Sequence, residues 1–292
     1  MIEIEHLSKR YGKYTALDDL SLRVDDGEIF GFLGPNGAGK TTTIKSIAGL
    51  IKPSQGLVRV DGHSVHKQPL KAKAQLGVIP DRPFLYEKLT GLEYLRFLAG
   101  LYGLDAARAE RAAHNWLDVF RLGSWGNELI EGYSHGMKQR LVMAGAFIHS
   151  PHNLVVDEPM VGLDPEGARL VKAIFRAWAG RGHSLFVSTH SLPEAEELCD
   201  RIGILSRGRL VAIGSLDQLR ERARTRGDLE EVFLTLTREA EVEGQAVVRD
   251  AATALDLDAA LELSMRALPD ADGNVPASSD AKPNMRGPGG AA

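Results

Sequence analysis

The chain has 292 residues, of which 43% are hydrophobic and 25% charged, so it carries enough apolar material for a sizeable core. A formal net charge of −4 weighs against a nucleic-acid binder, since such proteins are usually basic, and the single cysteine excludes an intrachain disulfide. No run of about 18 apolar residues and no secretory signal pattern occurs, so we expect a protein that does not span a membrane.

Alternating apolar and polar residues predict half-buried strands at 2–7 and 20–24. The nearly continuous apolar run at 29–33 is typical of a strand buried on both faces. It leads into a glycine-rich loop and then into a helix that we expect to begin near Thr41. A further strand is predicted at 56–60, before an Asp-Gly turn signal.

Helical spacing from about 83 to 150 predicts a helical subdomain inserted into a sheet-based core. Buried-strand patterns return at 153–156 and 184–188, separated by a predicted helix at about 165–180. Strands that alternate with helices predict an α/β fold with a parallel sheet.

The C-terminal part differs in composition, with 10 acidic and 4 basic residues from Glu239 onward. We expect 238–292 to form an acidic extension with one helix at about 250–268. Its content of Pro, Gly, Ala, Ser and Asp after about 269 predicts a largely disordered end.

Residues 34–41 match the phosphate-loop pattern G-x-x-x-x-G-K-[ST] in full. Its glycines leave backbone N–H groups free to surround phosphates, at the positive end of the following helix. The Lys40 ammonium would reach the terminal phosphates of ATP, and the Thr41 hydroxyl would bind Mg²⁺. The predicted nucleotide-binding residues here are Gly34, Pro35, Asn36, Gly37, Ala38, Gly39, Lys40, Thr41 and Thr42.

Asp157 and Glu158 follow the buried-strand pattern at 153–156. This placement predicts two carboxylates at the carboxyl end of a strand beside the phosphate loop. Asp157 would hold the magnesium shell, and Glu158 would act as the general base toward the attacking water.

The segment Tyr-Ser-His-Gly-Met-Lys-Gln-Arg at 133–140 is similar to the signature of the ABC ATPase family, usually written Leu-Ser-Gly-Gly-Gln. With the two motifs above in the family's order, it makes residues 1–237 resemble an ABC nucleotide-binding domain. The resemblance implies an α/β P-loop ATPase core with a parallel sheet. It also implies an N-terminal antiparallel β subdomain and a helical subdomain at about 83–150.

The resemblance assigns further roles. Ser134 and Gly136 of the signature, with Asp164 of the D-loop, would contact ATP bound by a second subunit in a head-to-tail dimer. His190 would sense the γ-phosphate and take part in catalysis with Lys40 and Glu158. An aromatic side chain stacks on adenine in this family, and the match here is Tyr11, with Tyr14 as the competing candidate.

One position departs from the family pattern, because Asp81 stands where a glutamine usually links Mg²⁺ to the membrane subunit. Aspartate can ligate Mg²⁺ directly or through water, so Asp81 is a candidate metal ligand. Its shorter, charged side chain makes the coupling to a membrane subunit different from that of the family.

The signature variant, Asp81 and the segment 229–234 resemble the subfamily that serves ABC-2 type exporters. Such a subunit hydrolyses ATP at the cytoplasmic face of the membrane, as a peripheral partner of permease subunits on separate chains. The second ATPase subunit would be an identical chain or a different one. Residues 82–89 would lie where the permease docks.

Two other functions stay open at this point. One is a soluble ABC ATPase acting on ribosomes or DNA, against which a single phosphate loop and the lack of heptad repeats weigh. The other is a regulatory subunit that binds ATP without hydrolysing it. The intact Lys40, Asp157, Glu158 and His190 weigh against that function, and no nucleic-acid partner is expected.

Overall fold

The structure is a computed structural model that describes residues 1–82 and 84–240. The predictions for the acidic extension, including the helix at 250–268, lie outside the described residues. The strands are β1 (Ile2–Tyr11), β2 (Tyr14–Val24), β3 (Ile29–Leu33), β4 (Gln55–Val60), β5 (His63–Ser64), β6 (Leu76–Ile79), β7 (Asn153–Asp157), β8 (Ser184–Thr189), β9 (Arg201–Ser206) and β10 (Arg209–Gly214). The α-helices are α1 (Lys40–Ile47), α2 (Pro69–Ala74), α3 (Gly91–Leu101), α4 (Ala106–Val119), α5 (His135–Phe147), α6 (Pro165–Ala179), α7 (Leu192–Leu198) and α8 (Leu216–Ala223).

The first sheet has the strand order β2-β1-β4-β5, and its pairs are antiparallel. Its first two strands are longer than the sequence predicts, because β1 continues to Tyr11 and β2 already begins at Tyr14. Irregular register between them absorbs His6 and Asp19, whose φ angles are 48° and 55°. These bulges interrupt the alternation of apolar and polar residues without ending the strands, which is why the pattern alone missed the extensions.

The second sheet has the order β10-β9-β3-β8-β7-β6, in which only the edge pair of β10 with β9 is antiparallel. β3, β7 and β8 are buried along their whole length, as their apolar runs predict. The two sheets share a core in which the Phe32 and Phe186 ring centroids lie 5.0 Å apart. The predicted α/β fold is confirmed.

Three helices, α3, α4 and α5, fill most of the range predicted for the helical subdomain. α3 begins at a capping box, in which Thr90 and Glu93 satisfy each other's backbone N–H groups. Buried side chains such as Leu95, Leu117 and Phe147 join the three helices in one core with α6. No helix among the described residues has the length and apolar character needed to cross a membrane.

The parallel register brings three strand ends together, and this is what positions the site. Leu33 at the end of β3 pairs with Thr189 at the end of β8. Asp157 at the end of β7 pairs with Ser188. The loops that follow β3, β7 and β8 therefore leave the sheet at the same edge, where α/β proteins bind their ligands.

Candidate active site

The phosphate-loop motif lies in the turn between β3 and α1, as the sequence predicts. β3 ends at Leu33 and α1 begins at Lys40. Gly39, just before the helix, has a φ of 116°, and a Cβ atom there would lie 2.7 Å from the Ala16 carbonyl oxygen. Glycine is required by this backbone conformation and close approach. The amino end of α1, with its unpaired N–H groups, therefore opens onto the loop.

A cleft of about 300 Å³ opens beside this turn. It is bounded by the ends of β1 and β2, by the phosphate loop and by residues that follow β6 and end β7. The predicted residues Gly34 and Ala38 are buried within the loop rather than part of the wall. The lining residues are Tyr11, Tyr14, Ala16, Pro35, Asn36, Gly37, Gly39, Lys40, Thr41, Thr42, Asp81, Asp157 and Glu158.

The Lys40 ammonium is held by its own loop. Its Nζ donates to the carbonyl oxygen of Gly34 at 2.5 Å and to that of Pro35 at 3.3 Å. Burial lowers the pKa of Lys40, and the nearby carboxylates of Glu158 and Asp157 oppose that shift. The side chain is thus a partly desolvated cation in the cleft wall, a suitable partner for phosphate oxygens.

Three oxygen-bearing side chains in the cleft suit a magnesium ion: the hydroxyl of Thr41 and the carboxylates of Asp81 and Asp157. Asp157 is only 9% exposed. Burial raises its pKa, the neighbouring carboxylates of Glu158 and Asp81 raise it further, and Lys40 opposes them. A divalent cation would relieve this crowding of negative charge, so the donor set fits Mg²⁺.

Glu158 lies one residue beyond β7 in a left-handed conformation with a φ of 49°. Its backbone N–H donates to the Ser188 carbonyl oxygen at 2.8 Å. Its Oε1 lies 2.8 Å from Nδ1 of His190, and its Oε2 accepts a hydrogen bond from the Thr189 hydroxyl at 3.2 Å. The carboxylate is therefore oriented by the two residues at and just beyond the end of β8, and Glu158 lines the cleft.

Thr189 is a functional candidate that the sequence reasoning missed. The available signal was a hydroxyl residue at the end of an otherwise apolar strand, next to His190. Its hydroxyl also accepts a hydrogen bond from the backbone N–H of Ser191 at 3.0 Å. Thr189 thus links the loop that carries His190 to Glu158.

Both tyrosines proposed for adenine contact line the cleft. Tyr11 is 48% exposed and Tyr14 is 59% exposed. The Tyr14 hydroxyl donates to the Gly37 carbonyl oxygen at 3.5 Å, while the Lys9 ammonium lies 5.0 Å from the Tyr11 ring centroid. The geometry leaves both rings available for stacking.

The signature and D-loop residues lie together, apart from the cleft that their own chain forms. Ser134 caps α5 by accepting a hydrogen bond from the Met137 N–H at 3.3 Å, and Asp164 caps α6 by accepting one from the Gly167 N–H at 2.7 Å. A Cβ atom at Gly136 would lie 3.3 Å from the Gly162 carbonyl oxygen. Ser134, Gly136 and Asp164 therefore form a second group, separate from the cleft-lining residues given above.

The sequence is similar to those of known proteins. A family model described as ABC transporter matches residues 17–161. The linearmycin resistance ATP-binding protein LnrL of Bacillus subtilis is 38% identical over 222 residues, which cover 76% of this chain and 71% of that protein. The daunorubicin resistance ATP-binding protein DrrA3 of Streptomyces coeruleorubidus is 38% identical over 257 residues, or 88% of this chain and 80% of that protein.

The fold is shared as well. A solved structure of an ATP-binding subunit of an ABC transporter aligns with a TM-score of 0.77 and 37% sequence identity, covering 81% of this chain and 99% of that one. The family match spans the phosphate loop, the signature and the Asp157–Glu158 pair. The chain therefore belongs to the ABC transporter family and is one of its ATP-binding, ATP-hydrolysing subunits.

Proposed function

We propose that this chain powers an ABC-2 type exporter whose permease subunits are separate polypeptides. The ATPase activity in this proposal rests on one observation. The side chains that would bind phosphate and Mg²⁺ and activate water line a single cleft: Lys40, Thr41, Asp157 and Glu158. Relatives named for linearmycin and daunorubicin resistance support export as the direction of transport. The match to the ABC transporter family model and the signature variant at 133–140 agree with this assignment.

Nucleotide binding is assigned to the phosphate loop. Its backbone N–H groups and the amino end of α1 surround the β- and γ-phosphates, and Lys40 exchanges the Gly34 and Pro35 carbonyl oxygens for phosphate oxygens. Thr41, Asp157 and Asp81 are the residues that would hold Mg²⁺. When bound, the ion supplies positive charge that offsets the negative charge of the phosphates.

Hydrolysis is assigned to Glu158. One carboxylate oxygen accepts the proton of the attacking water, while the close contact with His190 Nδ1 and a hydrogen bond from the Thr189 hydroxyl hold the carboxylate in place. The left-handed backbone at Glu158 aims the side chain from the end of β7 toward the cleft. His190 is expected to reach the γ-phosphate with the same ring.

The second group, Ser134, Gly136 and Asp164, is assigned to the ATP bound by a second subunit. The amino end of α5 presents partial positive charge, which suits a γ-phosphate brought to it by another subunit. The working unit would then be a head-to-tail dimer with two ATP molecules between subunits. The second subunit is either an identical chain or a paired ATPase chain.

Permease docking is assigned to an aromatic patch formed by Phe84, Tyr86 and Phe97. These side chains are 77%, 50% and 43% exposed. Their rings meet edge to face, with centroids 5.8 Å apart for Phe84 and Tyr86 and 5.6 Å for Tyr86 and Phe97. Leu85, within the predicted docking segment 82–89, is instead partly buried against the core of the helical subdomain. Such a patch suits a partner held at the cytoplasmic face of a membrane.

The exporter assignment is tested by capture from native membranes. Tagged Glu158→Gln protein is added with ATP to detergent-solubilised membranes, and bound proteins are identified by mass spectrometry. We expect a multi-span membrane protein, and we expect Phe84→Ala/Tyr86→Ala to lose it. Leu50→Ala, which removes an exposed apolar side chain outside the patch, is the matched control. Recovery of ribosomal or other soluble partners alone would overturn the transport assignment and leave the ATPase chemistry intact.

A further inference from the structure

The first residue of α5, His135, contacts the turn that precedes α6. A methyl group built on Gly162 would collide with the Cδ2 and Nε2 atoms of the His135 imidazole. The φ of Gly162 is +79°, a conformation that disfavours any side chain. The imidazole therefore lies directly on the backbone of this turn, in space that only a glycine leaves open.

The contact joins the start of α5 to the turn before α6. Beside it, a Cβ atom at Gly136 would lie 3.3 Å from the Gly162 carbonyl oxygen and 3.8 Å from Leu163 Cδ2. Met137 and Leu163 are partly buried against the same core. His135 itself is exposed, so burial of its ring from water is not what fixes it there.

Both segments carry residues assigned above to the second ATP site. Ser134 and Gly136 flank His135 on one segment, and Asp164 follows Gly162 by two residues on the other. Within each segment the start of the helix is held by a cap, Ser134 for α5 and Asp164 for α6. These caps act within each segment, whereas the contact of His135 with Gly162 lies between the two segments.

We propose that His135 is a positioning residue for ATP hydrolysis: its ring fixes the turn at 162–164 against the start of α5. The two segments then approach the second subunit's ATP as one rigid body. The proposal rests on the head-to-tail dimer proposed above.

The test compares full-length variants by steady-state ATPase assays, with ATP binding measured separately. His135→Ala is expected to lower kcat about tenfold, because small misplacements of a catalytic geometry are costly, while the Kd for ATP stays within about twofold. His135→Phe keeps a planar ring and is expected to retain kcat within about threefold. His114→Ala, on α4, is the control for loss of an exposed histidine.

The decisive comparison is a double-mutant cycle. Gly162→Ala is expected to lower kcat in both backgrounds, because a φ of +79° disfavours a side chain. The loss should be larger in the wild-type background, where the added methyl group also collides with the His135 ring. Equal losses in both backgrounds, or a His135→Ala enzyme with wild-type kcat, would overturn the proposal. Thermal melting identifies any variant that fails to fold, and His135→Ser, which also lacks the ring, then replaces His135→Ala. If wild-type protein hydrolyses ATP and dimerises with ATP, failure of this proposal leaves the proposed function standing.

Discussion

The Nδ1 atom of His190 lies 2.8 Å from Oε1 of Glu158, so the residue after β8 touches the residue after β7. Since a general base must be held in position to act, we expect His190→Ala to lower kcat about tenfold to a hundredfold with little change in ATP affinity. Single-turnover hydrolysis and equilibrium binding of a fluorescent ATP analogue measure the two effects. A His190→Ala enzyme with wild-type kcat would show that this contact is not needed to orient Glu158.

ATP-binding measurements can show which of the two cleft tyrosines stacks on adenine. Loss of a stacking ring costs about 1–3 kcal/mol, so the variant that removes the true partner should weaken ATP binding roughly fivefold to a hundredfold. We expect that effect for Tyr11→Ala, and a change of less than threefold for Tyr14→Ala. Calorimetric titration with ATP measures both. The reverse order would assign the stacking role to Tyr14.

The carboxylate of Asp81 adds negative charge beside Asp157. Replacing it with the family's usual glutamine removes that charge but keeps an oxygen ligand for Mg²⁺. We therefore expect Asp81→Gln to hydrolyse ATP within about tenfold of the wild-type rate. Asp81→Ala, which removes the ligand as well, is expected to need a higher Mg²⁺ concentration for half-maximal rate. Loss of ATP binding in Asp81→Gln would show that the position has a different role.

A half-buried histidine makes the stability of the chain depend on pH. The rings of His149 and Tyr102 stack with centroids 3.6 Å apart, and burial lowers the pKa of His149 to about 4. The folded state therefore binds fewer protons than the unfolded state between about pH 4 and 6.5, so stability is lost as pH falls through that range. The slope from one such group is at most about 1.4 kcal/mol per pH unit.

Urea denaturation between pH 7 and 5 measures this dependence. We expect His149→Gln to flatten it, and the same change at His63 on β5 to leave it unaltered. Burial also lowers the pKa of His66 and His183, so part of the slope should remain in the variant. An unchanged slope in His149→Gln would show that His149 does not carry the effect.

Much of the site could be predicted because its parts are contiguous in sequence. The phosphate loop and the Asp157–Glu158 pair each follow an apolar run, and parallel strands carry the residues at their ends to one edge of a sheet. The helix predicted at about 165–180 corresponds to α6, Pro165–Ala179, since its cap and its apolar spacing are local signals. The fold class followed from the same alternation of strands and helices.

Other features depend on contacts between distant parts of the chain, which no local pattern records. The Thr189 hydroxyl reaches Glu158 across 31 positions of sequence. The contact of His135 with Gly162 depends on how α5 is placed against the turn before α6. The bulges that lengthen β1 and β2 likewise arise from strand pairing rather than from the order of residues within one strand.

The central claim is that Glu158 is the general base for ATP hydrolysis. The cleft is expected to bind ATP even when Glu158 is replaced. The most direct measurement combines an ATPase assay of Glu158→Gln with light scattering on the same protein in Mg²⁺ and ATP. We predict hydrolysis at least about a hundredfold slower than wild type, ATP still bound, and a stable dimer. Glu194→Gln, which removes a carboxylate close enough to interact with Glu158, is the control and should hydrolyse at near the normal rate. Normal hydrolysis by Glu158→Gln would contradict the account.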